Sequence, residues 1–390
     1  MKPKYEVADI LHLYGKEYQE RTNLPYKKLK VMHKIKICRT ARLGGHVEQC
    51  DQCGFERIAY NSCRDRHCPK CQTIVKEQWL NDRKADLLPC NYFHMVFTIP
   101  HELNSFILVN PKVMLNNLFI AVNQTLQIFA RDPQWKVKGQ LGFISVLHTW
   151  SQKLTDHYHI HCLIAGGALS FDKTRWRAST KSFLFRVQSL SKEFKKRYLK
   201  LFEKAYLNHA LSLPGKIAKY SPKQEFNAFV RSLFMIKWNT YAKRPFAGPE
   251  QVLEYLGRYT HRVAISNNRI KSIDNGQVCF EYRDRTDENM VKTLKVSAHE
   301  FIRRFLLHVL PHKFMKIRYF GFLSHRNKKQ AIKLIRKLID PDAKIPQKIE
   351  ETYHEMMLRL TGKDLLCCPN CKKGKMKIIK ELPKQLLNSS

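Results

Sequence analysis

Three histidines stand at alternate positions in "HYHIHCLIAGG", namely His157, His159 and His161. Side chains on a β-strand repeat every two residues, so all three project from one face. A core rarely stacks imidazoles without polar partners, whereas a metal ion needs several nitrogens converging from one side. The preceding strand adds His148, eleven residues before His159. If the two strands pair antiparallel, His148 lies beside His159 and His161. Three imidazoles with open coordination positions suit a catalytic divalent ion. His157, at the strand edge, is the alternative third ligand. The competing reading of the set is a group of structural histidines.

A second constellation is "YLGRYTHR" at 255–262. Tyr255 and Tyr259 are four residues apart on an expected helix and share a face. An aromatic stripe packed on a core would look the same. However, Arg258, His261 and Arg262 surround the two phenols, and guanidinium groups beside phenols suit phosphate chemistry better than packing. A phenol with an ordinary pKa near 10 is a weak nucleophile. A metal ion that withdraws charge from the phosphate supplies the missing help.

The cysteines form a third group. Of twelve, six lie between Cys38 and Cys71, three between Cys367 and Cys371, and Cys90, Cys162 and Cys279 are isolated in or beside apolar strands. Clustered CxxC pairs in a cytosolic protein point to metal more than to disulfides. Cys50, Cys53, Cys68 and Cys71 form two knuckles separated by 14 residues, which predicts one closed tetrahedral Zn²⁺ site. Cys38, His46, Cys63 and His67 are further candidates that leave a second ion or a different pairing open, though each is expected to be a non-ligand. Cys368 and Cys371 make a lone knuckle in "CCPNC", half a site with no second pair after it. Arg57, Arg64, Arg66 and Lys70 decorate the first cysteine-rich segment, a surface suited to phosphate contacts, though solvated charge would look similar.

These groups need elements to hold them. Residues 5–36 read as helical. "NYFHMVFTIP" (91–100), "LGFISVLHTW" (141–150) and "YHIHCLIAGGAL" (158–169) read as strands. Helices are expected over roughly 111–131, 181–208 and 248–262. Asn275-Gly276, between two β-rich runs, is a strong hairpin signal. The tail from about 300 reads as basic and helical. Mixed strands and helices with a hairpin imply an α+β fold with an antiparallel sheet. The expected divisions are a helical and zinc-binding region 1–90, a catalytic region 91–310 and a basic region 311–390.

Composition narrows the partners. The chain has 390 residues, 44% of them hydrophobic, so it is globular. Lys and Arg total 70 against 33 Asp and Glu, a formal net charge of +37. That excess predicts a polyanion, nucleic acid first and an acidic membrane surface second. No run of about 18 apolar residues suggests a spanning helix. The N-terminus carries acidic residues within its apolar pattern and does not read as a signal peptide, so a cytoplasmic protein is expected.

"HTW" at 148–150, "HYHIHCLIAGG", "YLGRYTHRVAISNNRI", "FLLHVLPHKFMKIRYFGFLSHRN" and "ARLGGHVEQCDQCGFERIAYNSCRDRHCPKCQ" occur in this order along nearly the whole chain. Together they resemble the two-tyrosine rolling-circle transposases of the insertion-sequence-91 type, which belong to the His-hydrophobic-His endonucleases. The resemblance implies a ferredoxin-like antiparallel sheet preceded by a helical and zinc-ribbon domain. It implies that His159 and His161 hold Mg²⁺ or Mn²⁺ and that Tyr255 and Tyr259 are nucleophiles. The third ligand stays open between His148 and His157. It further implies nicking and rejoining of single-stranded element ends through 5′-phosphotyrosine links, on the bacterial nucleoid. A plasmid replication initiator or relaxase would share this chemistry. A zinc-dependent DNA-binding protein without catalysis is the rival from another class.

Overall fold

The computed structural model describes residues 3–135, 137–179, 184–246, 251, 255, 257, 260, 263–284, 286–342 and 348–385. The chain forms two compact units. One is Met1–Asn81 with Ile265–Arg303 and Gln347–Ser390, and the other is Asp82–Ala264 with Arg304–Pro346. Each gathers separated stretches of chain, so boundaries near 90 and 310 do not describe them. Strands pair across these separations, and composition along the chain carries no mark of such pairing.

Strands run β1 (Gly45–Cys50), β2 (Glu56–Tyr60), β3 (Tyr92–Thr98), β4 (Gln140–Trp150), β5 (Asp156–Leu169) and β6 (Trp176–Ala178). They continue as β7 (Thr240–Phe246), β8 (Ile270–Asp274), β9 (Gln277–Asp284), β10 (Met290–Ser297), β11 (Ile317–Gly321) and β12 (Met376–Leu382).

The second unit is built on an antiparallel sheet ordered β11-β4-β5-β3-β7, with β6 paired to β5. Helix Pro111–Arg131 connects β3 to β4, and helices including Val187–Leu207 connect β5 to β7. This βαββαβ connectivity, with β3 and β5 central, is the ferredoxin-like arrangement, extended at one edge by β11. Tyr158, Ile160, Cys162 and Ile164 of β5 share a core with Phe93, Met95 and Phe97 of β3. Helix Val187–Leu207 adds Leu190, Phe194, Tyr198 and Phe202, spaced four residues apart along one face. The alternate positions of the strands therefore turn away from the helices.

Helix Pro111–Arg131 is long and apolar enough to cross a membrane by length and composition. Met114, Leu118, Phe119, Val122 and Leu126 instead bury its apolar face in the core. Gly321 closes β11 at φ +62°, where a Cβ would stand 1.5 Å from the Leu141 carbonyl oxygen. No side chain fits there, so β11 can meet β4 only through glycine.

The first unit contains helices Val7–Glu20 and Tyr26–Lys36, separated at Pro25, within the stretch expected to be helical. It also has two three-stranded sheets, β12-β1-β2 and β10-β9-β8. Asn275 (φ +46°) and Gly276 (φ +72°) make the turn between β8 and β9, as their types require. The tail keeps helices Lys328–Ile339 and Tyr353–Thr361 but also supplies β11 and β12. Its helical reading was therefore incomplete, because both strands gain their partners from distant sequence.

Candidate active site and metal centres

The register of β4 and β5 sets His148 directly opposite His159 and Val146 opposite His161. On the other side, β3 sets Val96 opposite His161 and Thr98 opposite His159. The sheet thus presents His148, His159 and His161 together on the face turned from the helices. One ring nitrogen from each lies within 4.8 Å of the others, and His148 and His159 are buried. The Nε2 atoms of His159 and His161 stand 3.1 Å apart. His159 Nδ1 lies 3.0 Å from the His157 carbonyl oxygen, which accepts its proton and frees Nε2 for a ligand. His157 serves through this backbone oxygen, while its side chain is exposed. Of the two candidates for third ligand, His148 is the one in the cluster. It stacks on Trp150 with ring centroids 5.0 Å apart.

His94 is a fourth imidazole at this face that the sequence reading passed over. Its Nε2 lies 2.9 Å from His161 Nδ1, and its ring stacks on that of His161. Burial, with the Lys243 ammonium nearby, pushes His94 down to about 3, so the ring is neutral. The Tyr255 hydroxyl sits 2.8 Å from His94 Nδ1 and 3.2 Å from Nε2. Tyr255 is helical and buried, with the Lys243 ammonium 5.4 Å from its ring centre. A lone histidine inside the apolar run "NYFHMVFT" offers little signal; only its alternation toward the same face as His159 and His161 could have marked it. Tyr259, Arg258, His261 and Arg262 lie outside the described residues.

The cysteines correct the expectation of one zinc site. Cys68 and Cys71 gather with Cys38 and Cys63, whereas Cys50 and Cys53 gather with Cys368 and Cys371. The expected set of Cys50, Cys53, Cys68 and Cys71 is therefore divided between two clusters. Spacing alone could not show this, since any two knuckles can pair if the chain allows it. In the first cluster, Cys38 Sγ lies 3.5 Å from Cys71 Sγ and 3.6 Å from Cys68 Sγ, and Cys63 Sγ lies 3.6 Å from Cys71 Sγ. Four sulfurs held about 2.3 Å from one tetrahedral zinc stand about 3.8 Å apart, so the donor set and its spacing fit zinc. His67 is engaged by Asp65 at 2.9 Å and His46 by Glu48 at 3.2 Å.

The expected phosphate contacts divide as well. Arg64 is exposed. Arg66 is half-buried, and burial pushes its guanidinium down against the opposing pull of Asp65. Lys70 is ion-paired to Glu6 at 2.7 Å, a contact that fastens the cysteine segment to helix Val7–Glu20.

Two families match this chain. One described as "Putative transposase" spans residues 142–331, which hold most of β4, all of β5, the three clustered histidines and Tyr255. The other, "Transposase zinc-binding domain" of the insertion-sequence-91 type, spans residues 10–99 and includes the first cysteine cluster. "Putative transposase y4qJ" of Sinorhizobium fredii (strain NBRC 101917 / NGR234) is 44% identical over 95% of this chain and 94% of its own length. The chain belongs to the insertion-sequence-91-type transposase family. The "Transposase for insertion sequence element IS801" of Pseudomonas savastanoi pv. phaseolicola is 26% identical over 77% of this transposase and 71% of its own length. No solved structure matches. As a transposase the chain acts on DNA, and its N-terminal cysteine cluster is a structural zinc site.

Proposed function

We propose that this transposase nicks and rejoins single-stranded DNA at insertion-sequence ends, using Tyr255 and Tyr259 to hold 5′ ends covalently. The observation that carries this reading is the hydrogen-bonded line from Tyr255 Oη through His94 to His161, a member of the histidine cluster. A phenol packed only as core has no need of a buried polar line to three imidazoles.

His148, His159 and His161 would hold Mg²⁺ or Mn²⁺, which supplies charge to draw electrons from the scissile phosphate. The chain's own residues prepare the phenol. For His161 to offer Nε2 as a ligand, its proton must sit on Nδ1 and be donated to His94 Nε2. Neutral His94 then carries its proton on Nδ1, where it points at the Tyr255 oxygen. A donor aimed there stabilises negative charge on that oxygen and holds it in one position. Tyr255 Oη gives up its proton and attacks phosphorus, the bond from phosphorus to the 3′ oxygen breaks, and that oxygen takes up one proton in exchange and leaves as a 3′-OH. One phosphodiester is exchanged for another, so a later 3′-OH can reverse the attack without ATP. Tyr259, four residues on in the sequence, would cut a second strand while Tyr255 keeps the first. The work would be done in the cytoplasm, on the nucleoid.

Labelled single-stranded oligonucleotides carrying the element's own end test this. With Mg²⁺ or Mn²⁺, the label should become attached to the protein, survive denaturant and map to Tyr255 or Tyr259. Tyr255→Phe with Tyr259→Phe removes two hydroxyls and keeps the rings, so the fold should persist and the adduct vanish. An adduct formed undiminished by the double variant would place the nucleophile elsewhere and leave the tyrosines as packing.

A further inference from the structure

The second cysteine cluster lies partly outside both matched segments, since Cys368 and Cys371 follow residue 331. Its sulfurs have the spacing of a metal site. Cys50 Sγ is 3.7 Å from Cys371 Sγ, and Cys53 Sγ is 3.7 Å from Cys368 Sγ. A disulfide needs about 2.05 Å, and a tetrahedral zinc thiolate about 3.8 Å between sulfurs. Backbone amides point at the sulfurs, as they do where thiolate charge needs support. Gln52 N–H and Cys53 N–H donate to Cys50 Sγ, both at 3.4 Å, and Gly374 N–H donates to Cys371 Sγ at 3.3 Å. Cys50 and Cys368 are buried against Phe55 and Met376.

The surrounding backbone holds the two knuckles together independently of the sulfurs. β12 pairs antiparallel with β1, and Cys50 lies opposite Met376. Lys375 N–H donates to Asp51 Oδ1 at 2.8 Å, and Asp51 N–H donates to the Lys375 carbonyl at 3.1 Å. Arg57 pairs with Glu48 and donates to the Leu365 carbonyl at 2.6 Å. At Gly374 a Cβ would stand 2.4 Å from Cys50 Sγ, so the tail knuckle closes over the N-terminal one only with glycine there. Strand pairing, the Asp51–Lys375 hydrogen bonds, the Arg57 contacts and Gly374 thus converge on one arrangement of four thiols.

We propose that Cys50, Cys53, Cys368 and Cys371 bind a second structural zinc, which joins the C-terminal knuckle to the β1–β2 hairpin. The ion would cross-link positions 315 residues apart and make the basic tail an integral part of the N-terminal unit. A link between such distant positions removes much freedom from the unfolded chain, more than the local cluster can. Zinc suits the site because four thiolates in a closed tetrahedron leave no position open for chemistry.

The test uses the full-length protein and does not depend on DNA cleavage. Zinc released by a mercurial, which attacks only thiolate-held metal, should total two equivalents per chain in the unaltered protein. Cys368→Ser and Cys371→Ser should each reduce this to one, while Cys367→Ser, beside the cluster but outside it, should leave two. Limited proteolysis should then cut the segment around 363–385 in Cys368→Ser but not in Cys367→Ser. One equivalent in the unaltered protein would overturn the proposal, and so would two equivalents retained by Cys368→Ser. Iron in place of zinc would overturn the identity of the metal. Should the serine variants prove insoluble, the count on the unaltered protein decides alone.

Discussion

On the proposed reading His94 accepts a proton from His161 Nδ1 at its Nε2 and donates another from its Nδ1 to Tyr255 Oη. A glutamine amide can do both from one side chain, and leucine can do neither. His94→Leu is therefore expected to slow adduct formation by about 10–100-fold and to weaken Mn²⁺ binding similarly, the range found when a ligand's hydrogen-bond partner is lost. His94→Gln should recover part of both. Equal losses in the two variants would mean that His94 matters only for packing. The histidine pair was legible because a two-residue period on a strand has one geometric outcome. His148 was legible as soon as β4 and β5 were taken as neighbours. His94 was not, because nothing local separates a relay histidine from a core one; its partners come from β5 and from a helix over 160 residues away.

At the scale of elements, helix Val187–Leu207 shows how sequence period becomes packing. Phe194 is fully buried, edge-on to Phe97 of β3 at 5.1 Å and to Trp238 at 5.5 Å. Phe194→Ala should destabilise the second unit by about 3–5 kcal/mol, from lost burial and the cavity left behind. The measure is a lower denaturant midpoint for a probe in that unit, with the zinc count unchanged; an unshifted midpoint would mean that the helix is not needed to cover the sheet. Long periodic helices and the strands β3, β4 and β5 were readable, as was the Asn275-Gly276 turn. β1, β2, β11 and β12 were not. They are short, β11 and β12 show almost no alternation in burial, and β12 finds its partner β1 more than 300 residues away. The same blindness misassigned the knuckles. A spacing of 14 residues between Cys53 and Cys68 looked like one ribbon, while Cys38 and Cys368 supplied the missing partners from either side.

Over the whole molecule, the net charge of +37 and the three imidazoles do different work. Charge spread over many Lys and Arg side chains attracts phosphates wherever the strand lies, releases counterions and carries most of the affinity. On the proposed reading the histidine cluster would act on one phosphate and govern whether a bond breaks. The two should therefore separate cleanly. His159→Ala is expected to abolish cleavage, while single-stranded DNA binding stays within about two- to threefold of the unaltered protein. Both proteins should lose affinity steeply with salt, with a slope near −4 on logarithmic axes if about six phosphates are contacted. Chelation is the less clean experiment, because EDTA can also draw zinc from the cysteine clusters and unfold the unit they hold. The alanine variant leaves those thiolates untouched, so the zinc count serves as its control. If His159→Ala bound DNA as weakly as it cleaved, the cluster would be shaping the DNA-binding surface itself. If it cleaved normally, the metal would have to lie elsewhere, and the three histidines facing one another across β4 and β5 would be structural after all.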